Sequence, residues 1–136
     1  MPKIERILES VLYARDLDAA ESFYGGILGL EVIRRSDLFI TFRCADGVLL
    51  PFDPGESGRS GRSVPFHGTQ GPGHLAFAVR PEELDAWRRH LESHGIEIEN
   101  EVEREEGGRS VYFRDPAGNS LELAPPNLWG CGPASR

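Results

Sequence analysis

The chain has 136 residues and a formal net charge of -7, from 22 acidic side chains against 15 lysines and arginines. Phosphate binding needs a basic patch and no Lys/Arg run occurs, so nucleic acid is excluded as a principal partner. A hydrophobic content of 39% with 27% charged residues fits a globular chain, and the absence of a long apolar stretch or secretory leader predicts a cytoplasmic protein with no membrane partner.

Residues 4–14 alternate as a strand, with Ile7, Glu9, Val11 and Tyr13 on one face and Leu8, Ser10, Leu12 and Ala14 on the other. Asp16 has the chemistry of a helix N-cap. Leu17, Ala20, Phe23 or Tyr24, and Ile27 or Leu28 follow at helical spacing until Gly29 ends the run. Residues 30–35 and 38–44 read as short strands, the second holding Cys44 as a small core residue. Asp46-Gly47 is a hairpin turn leading into residues 48–52, where Pro51 predicts an edge or a bulge. From Asp53 to Pro72 the composition becomes rich in Gly, Ser, Arg and Pro, which marks a solvated linker whose Arg59 and Arg62 offer charges to an anionic ligand.

Residues 73–80 form the next strand, with His74, Ala76 and Ala78 on one face and Leu75, Phe77 and Val79 on the other. Pro81 starts a helix whose buried stripe is Leu84, Trp87 and Leu91, and Gly95 stops it. Residues 96–102 alternate apolar side chains with Glu97, Glu99 and Glu101, which together with Glu103 read as a solvated strand face. A Glu-Glu-Gly-Gly turn then precedes two strands joined at Asp115-Pro116-Ala117-Gly118-Asn119, the second carrying Glu122 between Leu121 and Leu123. Cys131 falls in a tail, and two cysteines make no disulfide framework.

The second half repeats the first. Leu17-Asp18-Ala19-Ala20 recurs as Leu84-Asp85-Ala86-Trp87, and Leu28-Gly29-Leu30-Glu31-Val32 as His94-Gly95-Ile96-Glu97-Ile98. The prediction is an α+β fold of tandem βαβββ modules in one domain, residues 1–136. Module one covers about 4–52, a linker about 53–72, module two about 73–125, and the tail 126–136.

Aligning the repeats sets Glu9 opposite His74, each on the first strand of its module. The equivalent of Glu122 falls at about Leu50 or Pro51, where no ligand stands. Glu9, His74 and Glu122 are therefore the candidate metal ligands. The small residues beside His74 and Glu122 predict a hollow on that face. Taken singly, each has a structural reading: a strand-edge acid, a hydrogen-bonded histidine, a member of an ion pair. Their repeat-related positions favour a shared ligand role. A Glu/His/Glu set with open positions suits Mn, Fe(II), Co, Ni or Mg better than structural Zn, with Zn remaining a candidate cofactor. Tyr112, Ser110 and Arg114 share one strand face, as do Thr41 and Arg43. His67, His90 and His94 carry weaker claims.

Arg15-Asp16-Leu17 with Phe23-Tyr24, Gly73-His74-Leu75-Ala76-Phe77, and Tyr112-Phe113-Arg114-Asp115-Pro116 with Gly118-Asn119 and Glu122 resemble the vicinal oxygen chelate superfamily. That superfamily includes glyoxalase I, extradiol dioxygenases, fosfomycin-modifying thiol transferases and bleomycin-resistance proteins. The resemblance implies half-barrel modules completed in a homodimer, with metal on the concave face and Glu9 acting in cis or in trans. It implies an enzyme acting on a small molecule with adjacent oxygens, either a lyase or isomerase or a dioxygenase. Tyr112 and Glu122 would then be catalytic, and Tyr13, Arg43, Arg109 and Arg114 would contact substrate. The histidine that accompanies the tyrosine in dioxygenases falls near Glu103 here. The alternative implied is a protein of bleomycin-resistance type that sequesters a small molecule.

Overall fold

Each half of the chain folds into a four-stranded sheet with the same strand order, as the repeat predicts. The computed structural model describes residues 1–105 and 107–130 and divides into two units, Met1–Gly71 and Pro72–Arg136. The fold is α+β, a tandem of βαβββ modules.

In the first unit, β1 (Glu9–Tyr13) leads to α1 (Leu17–Ala20), which runs directly into a π-helical stretch, Glu21–Ile27. Asp16 caps α1 by accepting from the Ala19 amide at 3.0 Å, and Gly29 leaves the helix with φ 77°. The sequence left open whether Phe23 or Tyr24 faces inward. Both do, at 2% and 0% exposure, because the wider turn lets neighbouring residues share one face. Their rings meet edge to face at 5.1 Å, and Tyr24 lies against Phe42.

β2 (Glu31–Arg35), β3 (Ile40–Cys44) and β4 (Gly47–Phe52) follow, and the sheet runs β1-β4-β3-β2 with β1 and β4 parallel. Ile40, Phe42, Leu49, Leu12 and Ala14 bury one face of this sheet. Three sequence expectations change here. The first strand begins at Glu9 and not at residue 4: Ile4, Ile7 and Leu8 are exposed outside it. Pro51 lies in a central strand, because β1 pairs along β4 on the side away from β3. The β3 ladder stops at Leu49 and resumes only as an isolated Phe39–Phe52 bridge, so the missing N–H of Pro51 falls where no rung is made. The hairpin turns on Ala45 and Asp46, with Ala45 at φ 51°. Gly47 pairs with Cys44, and a Cβ there would stand 3.0 Å from the Leu8 carbonyl oxygen.

The segment read as a linker holds structure of its own. Asp53 caps α2 (Pro54–Ser57) through the Gly55 amide, and the His67 amide donates to the Ser57 carbonyl. Arg59 pairs with Glu56, while Arg62 donates to the Ser57 carbonyl.

In the second unit, β5 (His74–Ala78) is followed by a 3-10 turn (Pro81–Glu83) and α3 (Leu84–Ser93), which Gly95 terminates at φ 74°. β6 (Asn100–Glu103), β7 (Arg109–Arg114) and β8 (Ser120–Ala124) complete a sheet of order β5-β8-β7-β6. Leu84 and Leu91 of the helix are buried, as are Val111, Phe113, Leu121 and Leu123 of the sheet, whereas Trp87 is half-buried. Two glutamates of the row are ion-paired and not merely solvated: Glu99 with Arg114, and Glu101 with both Arg88 and Arg109. No described helix is long and apolar enough to cross a membrane, and Cys131 lies outside the described residues.

Candidate functional site

The turn between β7 and β8 fixes the site's backbone. Asp115, only 6% exposed, accepts from the amides of Ala117 and Asn119, and Gly118 takes φ 90°. The Asn119 side chain donates to Asp115 Oδ2 at 2.9 Å and accepts from the Gly73 amide at 2.7 Å. One buried asparagine thus ties the turn before Glu122 to the residue before His74.

Register then sets the face. Across β5, β8, β7 and β6, Ala76, Glu122, Tyr112 and Asn100 stand in one row, and His74, Ser120 and Arg114 in the next. Glu122 is buried at 3% exposure while the His74 imidazole remains half-exposed. His74 Nδ1 lies 3.0 Å from the Ser120 carbonyl oxygen. A carbonyl only accepts, so Nδ1 carries a proton, and in the neutral ring this tautomer leaves Nε2 as the acceptor. That Nε2 is 3.5 Å from Glu122 Oε1. Two acceptors facing each other call for a cation or a proton between them. The imidazole nitrogen of His74 and the carboxylate oxygen of Glu122 are the donor types that would hold a divalent ion. A backbone carbonyl orienting the far nitrogen is also the usual support of a metal-bound histidine. A divalent ion therefore fits this pair.

A residue the sequence reading passed over completes the cluster. Arg104 Nη2 donates to Glu122 Oε2 at 2.8 Å and to the Tyr112 hydroxyl at 2.5 Å, and its Nε donates to Ser110 Oγ at 3.0 Å. The guanidinium lies 5.9 Å from the Tyr112 ring centroid, and the His74 and Tyr112 rings stack at 6.3 Å. Burial, then the bond to Glu122, raises the Tyr112 pKa above its ordinary value, with Arg104 pulling the other way; the hydroxyl stays protonated at neutral pH. Desolvation lowers the Arg104 pKa, but its bonds to Tyr112 and Glu122 together outweigh that and raise it. The signal for Arg104 was in the hairpin register. Val102 pairs with Ser110 and Glu103 with Arg109, so the next residue returns to the Ser110 face; Gly107 and Gly108, at φ 91° and 83°, close the turn behind it.

The arginines chosen from sequence do not gather here. Arg109 shares the opposite face of β7 with Val111 and Phe113 and pairs with Asp85 at 2.7 Å and Glu101 at 2.5 Å, so the structure corrects its placement at the site. Arg114 shares the face of Tyr112 but holds Glu99 and the Gly118 carbonyl at the strand end. Glu103 also lies on the far face, opposite Arg109.

In the first unit, Glu9, Val48, Arg43 and Glu31 form one row, with Glu9 exposed and Arg43 paired to Glu31 at 3.3 Å. Leu50 pairs with Val11 as Glu122 pairs with Ala76, so Leu50 and not Pro51 is the counterpart of Glu122. Tyr13, on the face of Glu9, hydrogen-bonds His67 Nδ1 at 2.7 Å, and the His67 ring rests edge-on against Phe52. Within either unit, no three His, Cys, Asp or Glu side chains among the described residues are arranged to hold a metal ion.

The family model for the glyoxalase/bleomycin resistance protein/dioxygenase superfamily matches residues 3–123. A crystal structure of lactoylglutathione lyase from Agrobacterium tumefaciens superposes with a TM-score of 0.89 at 41% identity, covering 95% of this chain and 99% of that one. Fosfomycin resistance protein FosX from Listeria monocytogenes, crystallised with Mn(II) and sulfate, matches with a TM-score of 0.69 at 25% identity over 90% of this chain and 91% of its own. Glutathione transferase FosA from Serratia marcescens is 31% identical over 113 residues, 82% of this chain and 74% of that protein. Matches to two FosB metallothiol transferases are shorter, spanning 33% and 36% of their length. The chain belongs to the glyoxalase/bleomycin resistance protein/dioxygenase superfamily.

Proposed function

We propose that the chain is a divalent-metal-dependent enzyme acting on a small molecule with two adjacent oxygens, with Glu9, His74 and Glu122 as the metal ligands. The observation that carries this reading is the His74 imidazole, tied at Nδ1 to the Ser120 carbonyl with Nε2 facing the buried Glu122 carboxylate across 3.5 Å. A divalent ion there supplies a Lewis acid that takes up negative charge developing on vicinal substrate oxygens. Tyr112, kept protonated, is placed to donate a hydrogen bond or a proton to one of those oxygens. Tyr13 and Arg43 lie on the Glu9 face and would meet other parts of the ligand.

The second unit supplies two ligands, and Glu9 stands at the repeat position of His74 in the first. Two copies pairing to share Glu9 would complete each site, with the two modules of each chain acting as one domain. The relatives are named as a lyase and as thiol or glutathione transferases. Arg104, with no proton to give at neutral pH, occupies the face toward which a dioxygenase would need a histidine, while Glu103 points away. Isomerisation, elimination or nucleophilic addition is therefore favoured over oxygen insertion.

One observation supports a second reading, a metal-free protein that sequesters a small molecule: Arg104 already gives buried Glu122 a positive partner. Metal analysis with Mn(II) titration separates the two. The enzyme reading expects about one Mn(II) per chain, lost in His74→Ala and Glu122→Gln, with saturating metal raising stability by about 3 kcal/mol at a hundredfold excess over Kd. Protein whose melting does not move with Mn, Ni, Co, Fe(II) or Zn would be the binding module.

A further inference from the structure

The last turn of α3 carries two histidines, His90 and His94, four positions apart, the spacing that sets two side chains one above the other on a helix face. Their rings stand 4.6 Å apart between centroids, tilted by 59°. His90 is half-buried and meets the Trp87 ring edge to face at 5.7 Å, while His94 is exposed. The backbone holds the second ring by one nitrogen. His94 Nδ1 lies 2.9 Å from the His90 carbonyl oxygen, which also accepts from Ser93 Oγ at 2.6 Å. A carbonyl only accepts, so Nδ1 carries a proton, and in the neutral ring this tautomer leaves Nε2 as the acceptor. A carbonyl bonded to the far nitrogen is the support that orients metal-bound histidines. The carbonyls that close the helix also favour positive charge at this end of α3. Glu92, the acid between the two histidines, is engaged by Arg88 at 2.9 Å and supplies no third ligand.

We propose that His90 and His94 form a metal site of their own, a two-imidazole chelate on the surface of α3 that takes Cu(II) in preference to Ni(II), Zn(II) or Mn(II). Two nitrogens with water in the remaining positions match the tetragonal N,O set of Cu(II), which also stands highest among the first-row divalent ions in affinity for such donors. Bound metal closes the last turn of the helix between residues 90 and 94. The site uses neither His74 nor Glu122 and no residue of the first unit, so it stands apart from the metal reading above.

Titration of the full chain with Cu(II), followed by tryptophan fluorescence and electron paramagnetic resonance, tests this in a His74→Ala background, so that the sheet histidine does not contribute. About one Cu(II) per chain should quench Trp87, and the resonance should show two nitrogen donors. His94→Ala should weaken binding at least about tenfold, because a single imidazole is no chelate, and His90→Ala with His94→Ala should abolish it. Trp87→Phe should lose most of the quenching and keep the copper resonance. Zn(II) should bind more weakly than Cu(II), and Mn(II) should not compete with it. A two-nitrogen resonance that survives in the double variant would overturn the proposal. So would His94→Ala protein that melts cooperatively and binds Cu(II) as tightly as its parent, or a parent that takes up no Cu(II). Should His74→Ala itself fail to melt cooperatively, the same substitutions in wild type give the same comparison, with loss of one Cu(II) per chain expected and unchanged copper uptake overturning the site.

Discussion

The Glu122–Arg104 pair is the ion pair of the second unit whose carboxylate is buried, and a double-mutant cycle in metal-free protein measures it. At an effective dielectric of about 20, opposite charges roughly 4 Å apart attract by about 4 kcal/mol. Desolvation offsets much of that, so the intact pair contributes little net stability. Breaking it is another matter, because one charge then stays buried alone; truncation of a buried pair costs about 3–5 kcal/mol. Glutamine is nearly isosteric with glutamate and can still accept from the guanidinium, so Glu122→Gln should fall lower, at about 2 kcal/mol. Arg104→Gln should cost about the same, since it leaves Glu122 with the Tyr112 hydroxyl and the His74 imidazole but no permanent positive charge. The double variant should cost well under the sum, giving a coupling of about 2 kcal/mol. Urea unfolding at pH 7 with chelator present reads this as shifts in midpoint at constant m. A coupling under about 0.5 kcal/mol would place Arg104 among ordinary surface pairs and refute its description as the carboxylate's resident cation.

Asn119→Ala removes the bonds to Asp115 Oδ2 and the Gly73 amide, and should cost about 2–4 kcal/mol while lowering Mn(II) affinity through His74; thermal melts and metal titration check both. Gly47→Ala should destabilise by about 1 kcal/mol because its Cβ meets the Leu8 carbonyl at 3.0 Å. Gly26→Ala, with nothing within 4 Å, should stabilise by about 0.5–1 kcal/mol, and opposite shifts in urea midpoint are the readout. The Asp85 pKa is lowered, first by its bond to Arg109, so its stabilising contribution is present above the ordinary aspartate range and lost as pH falls through the depressed value. Asp85→Asn should therefore flatten the acid limb of the stability profile below about pH 4, most visibly at low salt.

What could be read from sequence and what could not divide along a physical line. Strand alternation, the Asp16 cap and the turn glycines are local patterns, and they placed His74, Tyr112 and Glu122 on one face before any coordinates. The same parity excludes Arg109, an odd-numbered residue among the inward Val111 and Phe113. Pro51 looked like an edge residue because the parallel partner of β4 lies some forty positions earlier in the chain, and nothing local announces it. Arg104 lies two positions after Val102, the last apolar member of that alternation, at the start of a polar turn sequence, and the β6–β7 register shows that the strand face continues to it. His67 lay in a stretch whose composition signals solvation, yet Tyr13 and Phe52 fix its ring.

If two copies pair and Glu9 is a ligand, as proposed above, a mixed dimer distinguishes action in cis from action in trans. Consider one copy with Glu9→Gln and the other with Glu122→Gln. If each site draws its ligands from a single chain, both sites carry one defect and neither holds metal tightly. If Glu9 reaches across, one site collects both defects and the other collects none, since the intact Glu9 of the second copy meets the intact His74 and Glu122 of the first. Coexpression with two affinity tags isolates this species, and sharing in trans predicts about one Mn(II) per dimer, against about none in either homodimeric variant. A mixed dimer without metal, from variants that each still melt cooperatively in chelator, would assign Glu9 to its own chain.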